Sequence, residues 1–297
     1  MTHKPFNLKR ILRGFGIFLL AAIGLLYLVL PIGMGVYTVL PGRAAVGGIP
    51  EGFEHVKLET EDGVRLEAWY RPPENGAAII LIHGAGASRE SLRPYTEMLA
   101  GQGYGVLALD LRGHGESEGK TNRLGWQGTR DVGAAVDFLH GRSEVQSIGG
   151  QGLSMGGEIL LGAAGDYPEI QAIVTDGATR RSTEELLALE SERPLVRNFT
   201  ARVMYATVRL LSGDAPPQPL LESMMASETT RFLLIAAGQN ALETAFNQMF
   251  ATTLGDRASL WIVPEAEHTR AFHLYPDEYG QRLSDFFNQA MIPSQGE

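Results

Sequence analysis

The chain contains no cysteine. Disulfide frameworks, thiolate nucleophiles and Cys-ligated metal sites are therefore excluded. Compartment stays open, since a disulfide-free protein can work on either side of a membrane. Charge is missing from one stretch altogether: Gly14 to Leu40 holds no charged residue. Beyond it, basic residues are in short supply. Five of the 25 precede the first acid, Glu51, which leaves 20 basic against 34 acidic residues and a balance of −14 for the body. An acidic body offers no electrostatic footprint for nucleic acid. No nucleotide-binding glycine loop, metal-ligand cluster, internal repeat or low-complexity tract appears, so the sequence predicts neither cofactor nor metal.

The uncharged run is itself informative. As a helix its 27 positions would span about 40 Å, against about 30 Å of bilayer hydrocarbon. Pro31 is expected to kink or end that helix. Lys4, Lys9, Arg10 and Arg13 lie just before it, and the positive-inside bias places such residues in the cytoplasm with the body exported. The expected organisation is a basic tail over 1–13, a transmembrane anchor over 14–40 whose partner is the lipid bilayer, a Gly/Pro-rich connector over 41–52, and one domain over 53–297. A cleaved signal peptide is the competing reading, although its apolar core would be only about 7–15 residues long.

Thirty-six glycines suit a fold with many tight turns. In the body, Val56–Glu61 and Val64–Tyr70 flank Asp62-Gly63 as a hairpin. Ala77–Ile82 is fully apolar, like a strand covered on both faces. A helix is expected from Ser88, with that serine as its cap, to Ala100. Strand and helix patterns then alternate: Tyr104–Leu109, Gln127–His140, Val145–Gly149, Glu158–Asp166 and Ile170–Thr175, then Arg231–Ala237, Asn240–Leu254, Ser259–Val263 and Glu278–Ala290. Such alternation implies an α/β fold with a mostly parallel sheet of about eight strands between helices. It breaks down over 178–228, read as a helical cap insertion. There Leu186, Leu187, Leu189, Phe199, Met204, Tyr205, Met224 and Met225 suggest an apolar surface.

Gly152-Leu153-Ser154-Met155-Gly156 follows an apolar strand and opens a small-residue helix. A serine at such a turn is exposed on strained backbone, and the flanking glycines remove side chains that would collide where the chain doubles back. The helix amino terminus also directs N–H groups at any anion formed there. His83-Gly84-Ala85-Gly86 ends another buried strand. The backbone N–H groups of Met155 and Ala85 are the expected pair of oxyanion donors.

Together with Asp110-Leu111-Arg112-Gly113-His114-Gly115-Glu116-Ser117 and a late His268, these motifs resemble the α/β-hydrolase superfamily, chiefly its esterase, lipase and aminopeptidase-like members, over about residues 53–290. The resemblance implies that Ser154 is the nucleophile and that His268, after the last strand, is its general base. His83 and His114 are then structural. It also exposes a departure: many relatives carry an aspartate where this chain has Ala241. Glu243 lies one helical step further, and Asp176 ends the sixth strand, where some members supply the acid. Both remain open as the acid, and the bland reading of Glu243 is a solvated carboxylate on a helix's first turn. The implied activity is hydrolysis of a small-molecule ester or related acyl bond through an acyl-enzyme. A peptidase or amidase, or a non-catalytic binding protein on the same fold, are the alternatives.

Overall fold

The computed structural model describes residues 8–189 and 195–291. Lys4 in the basic tail and 190–194 in the expected cap lie outside the described residues. Eight strands form one sheet: β1 (Glu54–Glu59), β2 (Arg65–Arg71), β3 (Ala77–Ile82), β4 (Gly105–Leu109), β5 (Ser147–Leu153), β6 (Ile170–Asp176), β7 (Arg231–Ala237) and β8 (Ala258–Val263). Their spatial order is β1-β2-β4-β3-β5-β6-β7-β8. The β1–β2 and β2–β4 pairs are antiparallel and the others parallel.

At the amino terminus, α1 (Leu8–Gly24) and α2 (Leu30–Val39) are joined by a π-helical turn, Leu25–Val29. Together they make one 32-residue helix, with an 18-residue window of mean hydropathy 2.6, long and apolar enough to cross a membrane. Pro31 does not end it. The widened π turn just before the proline relieves the ring's clash with the preceding turn, and the helix continues to Val39. Buried positions occur only in α2, at Pro31, Gly35 and Thr38.

Helices cover both faces of the sheet. On one side, α4 (Gly128–His140), α5 (Met155–Ala163) and α9 (Ala241–Leu254) pack Val132, Ile159 and Phe246 onto Ile80, Leu107 and Leu234. On the other, α3 (Arg93–Gly101), α10 (Ala271–Leu274) and α11 (Pro276–Met291) pack Leu99, Ala271 and Phe287 onto Ile79, Val106 and Val174. Between β6 and β7 run α6 (Thr183–Leu189), α7 (Leu195–Ser212) and α8 (Leu220–Ala226). Leu186 and Met224 are buried there as plain packing, while Phe199 and Met225 are exposed. Helix α7 lies against α2, where a Cβ on Gly35 would stand 2.7 Å from the Thr207 Cβ.

Two expected boundaries move. Strand β5 runs on to Leu153, although Gly149, Gly150 and Gly152 read as the start of a turn. Those glycines serve packing: a Cβ on Gly149 would stand 2.7 Å from the Met291 sulfur, and one on Gly150 2.8 Å from a Leu160 methyl. The Ser88 cap does not form either. Residues 89–92 make a 3₁₀ turn and α3 starts at Arg93, because Pro94 needs a first-turn position. The Ser88 hydroxyl donates to the Ala45 carbonyl instead, at 3.2 Å.

Candidate active site

Parallel strands aim their carboxyl ends at one edge of the sheet, and the sequence motifs converge there. Ser154 bridges β5 and α5 with φ 51° and ψ −117°, a region that costs a non-glycine residue of order 1–3 kcal/mol and persists only where its surroundings hold it. Two backbone bonds do so. The Ser154 N–H donates to the Asp176 carbonyl at 2.8 Å, and the Ser154 carbonyl accepts from the Glu158 N–H at 3.0 Å. A Cβ on Gly152 would lie 2.4 Å from the Gly156 carbonyl carbon, and one on Gly156 2.4 Å from the Ile82 oxygen. No side chain fits at either place.

His268 stands in the loop after β8 with its Nε2 2.9 Å from the Ser154 Oγ. Its Nδ1 is 2.7 Å from a Glu243 carboxylate oxygen. An N–H on Nδ1 donates to that carboxylate and leaves Nε2 as an acceptor for the serine proton. The imidazole is 46% exposed and the Glu243 side chain 0%, so the solvated-carboxylate reading of Glu243 fails. The other Glu243 oxygen accepts the Ala237 N–H at 2.6 Å. Asn240, the N-cap of α9, accepts the Glu243 N–H at 3.2 Å and donates to its carboxylate at 3.3 Å. The hydrogen bond that His268 donates to Glu243, and that carboxylate's negative charge, hold the His268 pKa above the ordinary imidazole value, against the opposing effect of burial.

Asp176 takes another place. It is buried among Tyr95 and Tyr279, with no hydrogen bond to His268 among the described residues, and one of its oxygens is unpartnered. Burial first, and the nearby Glu243 charge second, push its pKa up to about 7. Of the two candidate acids, then, the structure brings Glu243 to the imidazole and leaves Asp176 supporting the elbow through its backbone.

Gly177 is a site residue the sequence reading missed. Its φ is +85°, and a Cβ there would stand 2.8 Å from the His268 Cε1. Only glycine leaves room for the imidazole, and the Asp-Gly dipeptide ending β6 was the available signal.

The oxyanion side is close by. A Cβ on Gly84 would approach the Ser154 Cβ to 3.6 Å, so the His83–Gly86 loop abuts the elbow. Met155 opens α5, and a first-turn N–H has no carbonyl one turn earlier to bond. His83 is buried and neutral, its pKa lowered to about 3 chiefly by desolvation. Its Nδ1 donates to the Gly84 oxygen at 2.8 Å, and its Nε2 accepts the Leu111 N–H at 3.2 Å. His114 is likewise buried, 3.0 Å from the Arg112 carbonyl. Asp110 accepts the Arg89 N–H at 2.6 Å and the Glu116 N–H at 2.8 Å, and pairs with the buried Arg89 guanidinium. These groups shape the loops and do not reach the serine.

A cavity of about 320 Å³ lies beside α5, lined by His114, Asn122, Asp131, Met155 and Asp214 among others. Ser154 and His268 do not line it. Among the described residues no group of three or more His, Asp or Glu side chains could hold a metal ion.

Comparisons with known proteins agree with this architecture. The family model described as "Serine aminopeptidase, S33" matches residues 73–245. The uncharacterized protein YfhR of Escherichia coli K12 is 24% identical over 266 residues, covering 85% of this chain and 87% of its own length. An uncharacterized protein of Mycobacterium tuberculosis H37Rv is 32% identical over 214 residues, covering 66% and 74%. The solved structure of a Pyrococcus furiosus esterase, Pf2001, superposes with a TM-score of 0.68 at 25% identity, covering 86% of this chain and 98% of the esterase.

Proposed function

The chain belongs to the serine aminopeptidase S33 family of α/β-hydrolases, and from that premise we propose that it is a membrane-anchored serine hydrolase of ester or related acyl bonds. The observation that carries this is the unbroken relay from the strained Ser154, through His268 at 2.9 Å, to the buried Glu243 at 2.7 Å. The Ser154 Oγ attacks the acyl carbonyl while His268 Nε2 takes its proton, and Glu243 stabilises the imidazolium. The N–H groups of Met155 and Ala85 meet the negative charge on the tetrahedral oxygen. His268 then returns the proton to the departing alcohol, leaving an acyl-serine. Water attacks that ester with His268 again as base, and the free acid leaves with Ser154 restored.

Ester chemistry is favoured over peptide cleavage by the esterase named above, similar over nearly its whole length. A peptidase is the second reading, favoured by the family's own description. A non-catalytic role drew its support from Ala241 in the acid position; Glu243 at the imidazole takes that support away.

Inactivation by a fluorophosphonate should label Ser154 of the full-length protein. Its rate should rise with pH along a limb centred above 6.5, the ordinary value for an imidazole, because a raised pKa keeps the base protonated to higher pH. Absence of label on folded wild type, or a limb centred below that value, would overturn the assignment.

The apolar helix Leu8–Val39 supports the anchor reading, and Lys9, Arg10 and Arg13 in its first turns support a cytoplasmic amino terminus. Protease added to intact cells should then digest the body and spare the helix. A protected body would reverse the orientation.

A further inference from the structure

The chain between the amino-terminal helix and β1 is stitched to the loops around the elbow along most of its length. Arg123 holds its beginning. The Arg123 backbone N–H donates to the Thr38 carbonyl at 3.1 Å. Its guanidinium donates through Nη1 to the Tyr37 carbonyl and lies 4.5 Å over the Tyr37 ring. A Cβ on Gly42 would stand 2.7 Å from Arg123 Nη2. Further on, Arg43 donates to the Ser117 carbonyl, the Gly47 N–H donates to Glu90 at 2.9 Å, and Arg93 donates to the Gly48 carbonyl at 2.6 Å.

The same Arg123 faces the oxyanion loop. A Cβ on Gly86 would stand 3.4 Å from its Nε, which is buried and has no acceptor among the described residues. Gly86 belongs to the loop whose Gly84 abuts Ser154. That loop has few internal bonds: within 83–88 the Gly84 carbonyl accepts the Ala87 N–H at 3.2 Å and the His83 Nδ1–H at 2.8 Å. Its position is therefore set from outside. On one side are the Leu111 N–H bond to His83 Nε2, the Ser88 bond to Ala45 and the Asp110 bond to the Arg89 N–H. On the other is the Arg123 side chain, itself held by the end of the helix.

We propose that Arg123 is a positioning residue: it transmits the placement of the amino-terminal helix end to the oxyanion loop, making that helix part of the active-site framework. The inference rests on the Ser154 reading for its effect on rate, but the mechanical link stands apart from it. Oxyanion donors act only within about 2.7–3.1 Å of the developing charge, and a misplacement of about 1 Å can cost about 10²-fold. A contact that fixes this loop should therefore appear in kcat more than in KM.

The test is a double-mutant cycle of Arg123→Ala and Tyr37→Ala in the full-length protein in lipid nanodiscs. It is read by kcat and KM on a p-nitrophenyl ester and by amide hydrogen exchange over 83–88. Arg123→Ala should lower kcat about tenfold or more with KM little changed, and should speed exchange at 85–87. Arg123→Lys, which keeps the charge but loses the planar fork and the stacking, should recover only part of the rate. The double variant should lose less than the product of the single losses, the mark of coupled partners. Unchanged kcat and exchange in Arg123→Ala, strictly multiplicative losses, or a thermal midpoint that falls with kcat and KM together would each overturn the proposal. A wild type without turnover would defeat the Ser154 reading, and the exchange data would still decide whether Arg123 links helix to loop.

Discussion

Ser154→Ala is expected to lower kcat on an activated ester by about 10⁶-fold while leaving the fold intact. The loss is this large because attack, proton transfer and acyl transfer all pass through one oxygen, so removing it disables His268 and Glu243 as well. What remains should be the rate over water supplied by binding and oxyanion donors alone, about 10³–10⁴-fold. Alanine fills no new space at the elbow, where Gly152 and Gly156 already leave none to spare, so circular dichroism and melting should be near wild type. Turnover measured with fresh, separately expressed protein excludes carry-over. A variant that kept more than about a tenth of the wild-type rate would remove Ser154 from the chemistry.

Glu243→Gln should cost about 10⁴-fold in kcat, whereas Asp176→Asn should stay within about tenfold of wild type. The geometry separates the two carboxylates. Glu243 accepts a hydrogen bond from the imidazole Nδ1–H at 2.7 Å and one from the Ala237 N–H at 2.6 Å. Glutamine preserves that shape but withdraws the charge that stabilises imidazolium, and its amide can hold the ring in the wrong tautomer. Asp176, pushed up to about 7 by burial and by the Glu243 charge, carries a proton below that pH, where asparagine imitates it closely. Steady-state kinetics of both variants at pH 6 give the comparison. A collapse in Asp176→Asn with Glu243→Gln active would transfer the acid to the end of β6.

Those two carboxylates also mark where sequence reading reaches its limit. Ser154 and His268 are legible because each lies in a local pattern: a strand-to-helix turn framed by glycines, and a histidine in the loop after an apolar strand. The proposed acid is not local. Glu243 reaches the imidazole only because Asn240 caps α9, and because the loops after β7 and β8 are tied by the Gly238 N–H to Val263 carbonyl bond at 2.8 Å. Ala241 at the familiar position hides this. The sheet itself was readable as alternating apolar segments, except where β5 uses glycines to admit Met291 and Leu160. The connector over 41–52 shows the opposite failure. Its Gly/Pro-rich composition signals a linker, yet Arg43, Ala45, Gly47 and Gly48 each bond to the body. Such partners lie far away in the chain and leave no periodic trace.

Helix Leu8–Val39, with its 32 residues, is about 48 Å long, some 18 Å more than a bilayer's hydrocarbon. The surplus is not slack. Its last turns are clamped, by Gly35 against Thr207 and by Tyr37 beneath Arg123. On the anchored reading, the protein therefore resembles a tool on a fixed mount more than a ball on a string. It cannot tumble freely above the lipid, and diffusion across the membrane carries the catalytic edge at one height and one tilt. Esters held in that plane would meet Ser154 by a two-dimensional search at high effective concentration, an advantage that a freely dissolved substrate does not share.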